Sequence, residues 1–146
     1  MGIVYSGPYA DQLDYYQAHE GYAARRLRSG ELTGMWTYRT RRFVAWVAAC
    51  ECGWQAATEH PPTDEGEQAA VDQWRTEHLQ PLIAKIATTG WADWAARTAS
   101  RAQDVCEHIA AGRYPAAAIV IARLGRDLAM WQRTAHALLE QEGGAP

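Results

Sequence analysis

Residues 34–57 have the sequence GMWTYRTRRFVAWVAACECGWQAA. Its aromatic, β-branched and threonine residues favour a pleated, half-buried surface. We expect two antiparallel strands joined near Thr40 and Arg41, with residues 53–57 returning as a third short strand. The stretch therefore predicts an α+β domain, mostly helical, in which a ribbon of two or three strands packs on helices.

Helical periodicity predicts the elements on either side of this ribbon. Apolar residues recur at helical spacing over 9–29, which predicts a first helix. After the ribbon, Thr63 is a favourable N-cap for a helix over 64–87, and Pro81 should kink that helix. Residues 91–141 predict two long helices joined by a short link, which favours an antiparallel helical hairpin.

Length and composition fit one globular domain. The chain has 146 residues, of which 48% are hydrophobic and 21% charged, close to the globular average. We expect a single domain over 1–142 and a frayed tail at 143–146. The large apolar side chains expected in its core are Trp46, Trp54, Trp74, Leu79, Leu82, Ile83, Trp94, Ile109, Ile119, Leu128 and Trp131.

Cysteine usage and hydropathy indicate a cytoplasmic protein without a membrane partner. Three cysteines are an odd number, which fits a secreted disulfide framework poorly. The chain opens without the charged and apolar regions of a signal peptide. Its most apolar stretch, residues 116–122, is far shorter than a membrane span.

The most specific chemical feature is a pair of cysteines, Cys50 and Cys52, followed by His60 and His78. Two thiolates on a tight turn and an imidazole from a helix are how small zinc sites are built. We expect zinc on Cys50, Cys52 and His78, with His60 as a fourth ligand. The alternative is two core thiols, because zinc knuckles usually separate their cysteines by two to four residues and only Glu51 intervenes here.

The run CECGW at 50–54, then His60 with Pro61, then Trp74 and His78, resembles an element of small uncharacterised proteins from actinobacteria and their mobile elements. The resemblance covers residues 42–82, little more than a quarter of the chain. It implies a shared local fold and is compatible with zinc. It implies no activity.

A second feature is a local excess of arginine beside aromatic residues. Residues 23–44 hold six Arg and one Glu, a balance of +5 in a chain whose net charge is −3. Arginine contacts phosphates and exposed aromatic rings stack on bases, so this pattern points to nucleic acid or an acidic protein. The alternative is an ordinary half-buried sheet whose Arg stems cover apolar surface. The candidate binding residues are Arg25, Arg26, Arg28, Trp36, Tyr38, Arg39, Arg41 and Arg42.

Three functional hypotheses follow from these patterns. The first is a non-enzymatic binding or regulatory module, stabilised by zinc and contacting nucleic acid or an acidic partner through the arginine and aromatic residues. The second is a protein–protein adaptor or host-interaction factor that uses the C-terminal helices, which are apolar enough to form a homodimer. The third is a small enzyme that uses the Tyr15 and His19 face or an open metal site. No phosphate-binding loop, nucleophile elbow or His-Glu-x-x-His motif supports the enzyme.

Overall fold

The structure is a computed structural model that describes residues 2–144. It has an α+β fold with a four-stranded antiparallel sheet and a C-terminal helical region. In chain order the helices and strands are α1 (Ala10–Leu13), β1 (Gly21–Arg26), β2 (Leu32–Thr33), β3 (Ala45–Cys50), β4 (Gln55–His60), α2 (Asp64–Gln73), α3 (Gln80–Lys85), α4 (Trp91–Ala110) and α5 (Tyr114–Gly143). A 3₁₀ turn lies at Tyr38–Thr40, and two π-helical segments lie at Trp74–Leu79 and Ile86–Gly90.

Contacts divide the chain into two compact units where the sequence predicts one domain. The sheet unit comprises residues 2–6 and Leu13–Ala84. The hairpin unit comprises Gly7–Gln12 and residues 85–144. Each unit is described below by itself.

The sheet unit is built around β3. The strand order is β2-β1-β3-β4, and every neighbouring pair is antiparallel. All six residues of β3 are buried, and Val47 is completely inaccessible. The strand is therefore covered on both faces, which explains why Ala45–Cys50 shows no alternation of polar and apolar residues.

The predicted helix over 9–29 is wrong. Only Ala10–Leu13 is helical, and Gly21–Arg26 forms β1, which pairs with β3. The alanines and arginines of β1 have good intrinsic helix propensity, but pairing with a buried strand outweighs that local preference. Gly21 also meets the indole of Trp74 so closely that a Cβ there would lie 2.0 Å from Trp74 Cδ2.

The predicted first strand of the ribbon is also wrong, because residues 34–44 form a loop. Thr37 and Thr40 bond to each other through side chain and backbone, and Thr40 Oγ1 donates to the carbonyl of Met35 at 2.7 Å. These local bonds replace the bonds that a strand would make with its neighbour. The predicted third strand exists as β4, so the hairpin is β3 with β4.

The helix after the sheet begins as predicted. Thr63 caps α2, with its Oγ1 accepting from the Gly66 N–H at 3.1 Å. Instead of a kink at Pro81, the irregularity appears as the π-helical segment Trp74–Leu79, which ends just before α3. A widened turn before the proline accommodates a residue that has no N–H to donate.

The hairpin unit confirms the predicted antiparallel helices. Trp91 at the start of α4 packs against Trp131 in the second half of α5, with ring centroids 4.5 Å apart and the ring planes tilted by 54°. Arg101 and Asp127 form an ion pair between the same two helices. Gly112, with φ of +69°, lies in the link, where a left-handed backbone favours glycine.

The predicted core is correct for Trp46, Trp74, Leu79 and Trp131, which are buried. It is wrong for three positions in the hairpin unit, which are about half exposed: Ile109, Ile119 and Leu128. No helix within residues 2–144 combines the length and apolar character needed to cross a bilayer. Of the predicted tail, Gly143 ends α5 and residues 145–146 lie outside the described part of the chain.

Candidate metal centre

The turn between β3 and β4 brings two cysteines into one cluster. The Gly53 N–H donates to the Cys50 carbonyl, and the Cys50 N–H donates to the Trp54 carbonyl, both at 2.9 Å. Gly53 has a φ of +92°, the left-handed conformation that closes such hairpin turns. Cys50 ends β3 and is buried, and Cys52 lies on the turn and is half-buried.

His78 comes from the π-helical segment Trp74–Leu79. Trp74 is only 1% exposed and lies directly on Gly21 of β1, where the missing side chain leaves room for its indole. One turn later, the Nε2 atom of His78 lies 3.2 Å from the Cys52 sulfur. The Trp54 ring stacks on the His78 ring with an interplanar angle of 15°, which fixes the orientation of the imidazole.

His19 completes the cluster from the loop that precedes β1. Two hydrogen bonds hold this loop against the cysteine turn: the Glu51 N–H donates to the Glu20 carbonyl at 2.9 Å, and Gln17 Nε2 donates to the Cys52 carbonyl at 3.1 Å. His19 Nδ1 lies 3.3 Å from the Nε2 atom of His78. It lies 3.8 Å from the sulfur of Cys50.

The four side chains can hold a metal ion. One ligand atom from each of His19, Cys50, Cys52 and His78 lies within 4.8 Å of all the others. With Zn–N of about 2.0–2.1 Å and Zn–S of about 2.3 Å, a tetrahedron separates nitrogen from nitrogen by about 3.3 Å and nitrogen from sulfur by about 3.6 Å. The corresponding separations are 3.3 Å for the two imidazoles, and 3.2 Å and 3.8 Å for the two nitrogen–sulfur contacts.

The electrostatics of the cluster suit a bound cation. Burial raises the pKa of the Cys50 thiol, and the backbone N–H of Cys52 and the indole of Trp74 oppose that rise. Burial lowers the pKa of His78, and the nearby His19 ring lowers it further. The lowered pKa favours the neutral imidazole, which is the form that ligates metal, and a cation would favour the thiolate form of the buried sulfur.

Trp74 adds an unusual donor beside the cluster. Its indole N–H is buried and has no aligned hydrogen-bond partner among residues 2–144. The indole of Trp74 lowers the pKa of the Cys50 thiol, which favours negative charge on that sulfur.

The structure brings together three of the four predicted ligands, Cys50, Cys52 and His78, and places His60 outside the cluster. His60 pairs with Trp46 at the far end of β4, and its Nε2 bonds to Gln73 Oε1 at 2.8 Å. His19 lies where a fourth ligand was expected. The pairing of β1 with β3 places Gly21 opposite Cys50 and so brings the loop before β1 to the cysteine turn. Prediction of residues 21–26 as a strand paired with β3 would have indicated His19, but these residues were assigned to the predicted helix over 9–29.

The predicted arginine and aromatic residues divide into two groups. Arg25 is buried, and its guanidinium carbon lies 3.8 Å from the centroid of the Trp36 ring. Arg26 forms an ion pair with Glu59 and donates to the Gly30 carbonyl at 2.9 Å. The rest of the predicted set is exposed: Arg28, Trp36, Tyr38, Arg39, Arg41 and Arg42. Most of these exposed residues belong to residues 34–44, which we call the basic loop.

Comparisons with known proteins identify no relative. No protein-family model matches the chain, and neither a curated protein nor a solved structure matches it. The resemblance to actinobacterial and mobile-element proteins over 42–82 stays a prediction. The functional interpretation of this chain therefore depends on the geometry of the cluster of His19, Cys50, Cys52 and His78.

Proposed function

We propose that this chain is a non-enzymatic binding module whose sheet unit is stabilised by a structural zinc ion. The observation that carries the proposal is the convergence of His19, Cys50, Cys52 and His78, whose ligand atoms all lie within 4.8 Å of one another. Two thiolates and two imidazoles favour zinc over calcium or magnesium, which prefer oxygen ligands. Four protein ligands also fill a tetrahedral site, whereas catalytic zinc keeps one position open.

The surroundings of the cluster support a structural rather than a catalytic role. The fold holds three of the four ligands in place: Cys50 by β3, His78 by its stacking on Trp54, and His19 by the bonds of its loop to the cysteine turn. Such supporting contacts orient ligands in structural sites. Free thiols as ligands need a reducing compartment, which fits the predicted cytoplasmic location.

The partner of the module is anionic in this proposal. The basic loop and the neighbouring Arg28 expose four guanidinium groups, at Arg28, Arg39, Arg41 and Arg42. The candidate metal centre and the basic loop both belong to the sheet unit. A metal that stabilises this unit therefore also stabilises β2 and β3, the strands between which the loop lies.

Metal analysis of two histidine variants tests the proposed ligand set. We expect stoichiometric zinc in the wild type and in His60→Ala, because His60 bonds to Gln73 outside the cluster. We expect His19→Ala to lose more than about 100-fold in zinc affinity, since even the loss of a supporting group typically lowers affinity about 10–100-fold. Elemental analysis and competition with a chromogenic chelator measure both quantities. Equal zinc affinity in His19→Ala and the wild type would refute this ligand set.

A second candidate function, self-association through α5, is favoured by one observation. Tyr114, Ile121, Leu128 and Leu139 are all more than half exposed. Their spacings of 7, 7 and 11 residues place them on one side of the helix, as in helix pairs. A second copy of this chain would cover the stripe by a two-fold pairing of identical helices.

Light scattering tests this pairing. We expect the wild type to have the mass of a dimer and Leu128→Glu to have the mass of one chain, because a buried, unpaired carboxylate opposes association. Arg123→Glu introduces the same charge at an exposed position outside the stripe and should leave the dimer intact. A wild-type mass of one chain at every concentration would rule out the adaptor by self-association.

A further inference from the structure

We infer that the basic loop binds single-stranded nucleic acid, with Trp36 and Tyr38 as stacking surfaces and the exposed arginines as phosphate contacts. The inference rests on the proposed function and names its anionic partner. Three observations support it: the exposure of two aromatic rings, the contacts that hold the loop in place, and the positive charge of the loop.

The two rings are exposed to an extent that packing does not explain. Trp36 is 70% exposed and Tyr38 is 91% exposed, although large aromatic side chains contribute most when buried. They are two residues apart in the chain and belong to the same loop. Stacking of a base on an exposed aromatic ring would remove this apolar surface from water.

The loop is held in one conformation before any partner binds. One face of the Trp36 ring lies on the buried guanidinium of Arg25, with 3.8 Å between the guanidinium carbon and the ring centroid. The mutual bonds of Thr37 and Thr40 and the bond from Thr40 to the Met35 carbonyl fix the backbone beside it. A preorganised surface loses less conformational entropy on binding, so its contacts contribute more to affinity.

The charge around the rings is positive. Arg39, Arg41 and Arg42 are exposed in the loop, Arg28 is exposed nearby, and residues 34–44 contain no acidic residue. Phosphates would bind these guanidinium groups while the bases stack on the rings. An acidic peptide would use the arginines alone and leave Trp36 and Tyr38 exposed. Bases in a duplex already stack on each other, so the rings favour a single strand.

Fluorescence anisotropy with the zinc-loaded full chain tests the inference. The probes are a labelled oligothymidylate of about 12 nucleotides, within the usual site size of single-strand binders, and an abasic strand of equal length. We expect binding that weakens as salt rises. Tyr38→Ala should weaken oligothymidylate binding at least about fivefold, because stacking on one base contributes at least that much. It should leave binding of the abasic strand unchanged.

The arginines are tested through the salt dependence. Each lost phosphate contact changes the slope of log K against log salt by about 0.7 for single strands. The triple variant Arg39→Gln, Arg41→Gln and Arg42→Gln should therefore have a slope shallower by about 2. Matched controls are Tyr16→Ala, at a ring that is 84% exposed outside the loop, and a triple Gln variant at exposed arginines of the hairpin unit, namely Arg97, Arg123 and Arg126.

The outcomes separate this inference from the metal proposal. Absence of binding at low salt, equal binding of oligothymidylate by Tyr38→Ala and the wild type, or equally tight binding of the abasic strand would each overturn it. Tighter binding of polyglutamate than of oligothymidylate would assign an acidic protein as partner instead. Zinc content is measured on every sample, so a zinc-loaded chain that does not bind refutes only this inference, and a zinc-free chain that binds refutes only the metal.

Discussion

Cys50→Ala is expected to abolish stoichiometric zinc binding and to lower the melting temperature of the sheet unit by at least about 12 °C. The substitution leaves three ligands and one position without a donor in a partly buried cluster. Structural zinc contributes roughly 10–16 kcal/mol of apparent binding free energy in zinc-finger peptides, which have little other core. The sheet unit has its own core around β3, so we expect a smaller loss of about 3 kcal/mol, and each kcal/mol is worth at least about 4 °C in a domain of this size.

Two comparisons isolate the metal from the loss of a core thiol. Cys106→Ala removes an exposed cysteine outside the cluster and should leave zinc content and melting temperature unchanged. A strong chelator should lower the melting temperature of the wild type toward that of Cys50→Ala and should have no effect on the variant. Calorimetry with and without chelator measures both. If the wild type is free of zinc and insensitive to the chelator, the cysteines are core thiols and the metal proposal is wrong.

Trp74→Ala is expected to destabilise the sheet unit by about 3–5 kcal/mol, the usual loss for removal of a buried tryptophan. Trp74 is 1% exposed, and its ring lies on Gly21 of β1. Its loss opens a cavity between the helix and the strand, and it frees the segment that carries His78. We therefore expect zinc affinity to fall together with stability, as measured by denaturant unfolding and chelator competition.

Two further variants separate packing from the indole N–H. Trp74→Phe keeps a buried aromatic ring and removes the indole, which lowers the pKa of the Cys50 thiol, so zinc affinity should fall by a larger free energy than stability does. Gly21→Ala places a methyl group where the ring lies and should destabilise the wild type, but the methyl should partly fill the cavity in Trp74→Ala. Additive effects of Gly21→Ala and Trp74→Ala would show that the close contact is absent in solution.

The sequence predicted the structure correctly where neighbouring residues determine it. The hydroxyl of Thr63 capped the helix as expected, and the link at Gly112 predicted the antiparallel pairing of α4 and α5. The two cysteines share the cluster of candidate ligands because they lie on one tight turn. Each of these features depends on residues close together in the chain.

The errors at β1 and His19 arose where distant residues determine local structure. Residues 21–26 have helical propensity, and only their pairing with β3 makes them a strand. The register of that pairing places Gly21 opposite Cys50, and it therefore brings His19 to the other three candidate ligands. A single sequence without this pairing cannot show where β1 and His19 lie. The basic loop is a different case: its composition is strand-like, but local hydrogen bonds of Thr37 and Thr40 form a 3₁₀ turn there.

The four candidate ligands are spread over the chain from His19 to His78, and only two of them are neighbours. A peptide such as 42–82 contains three of these donors and lacks the loop that supplies the other. Bringing such distant segments together costs conformational entropy. Once the strands have paired, these segments are already close together, so ligation of a metal adds little to that cost. In the proposed zinc-bound chain, metal capture would therefore be a late event in folding, and an occupied site would report that β1, β3 and β4 have paired.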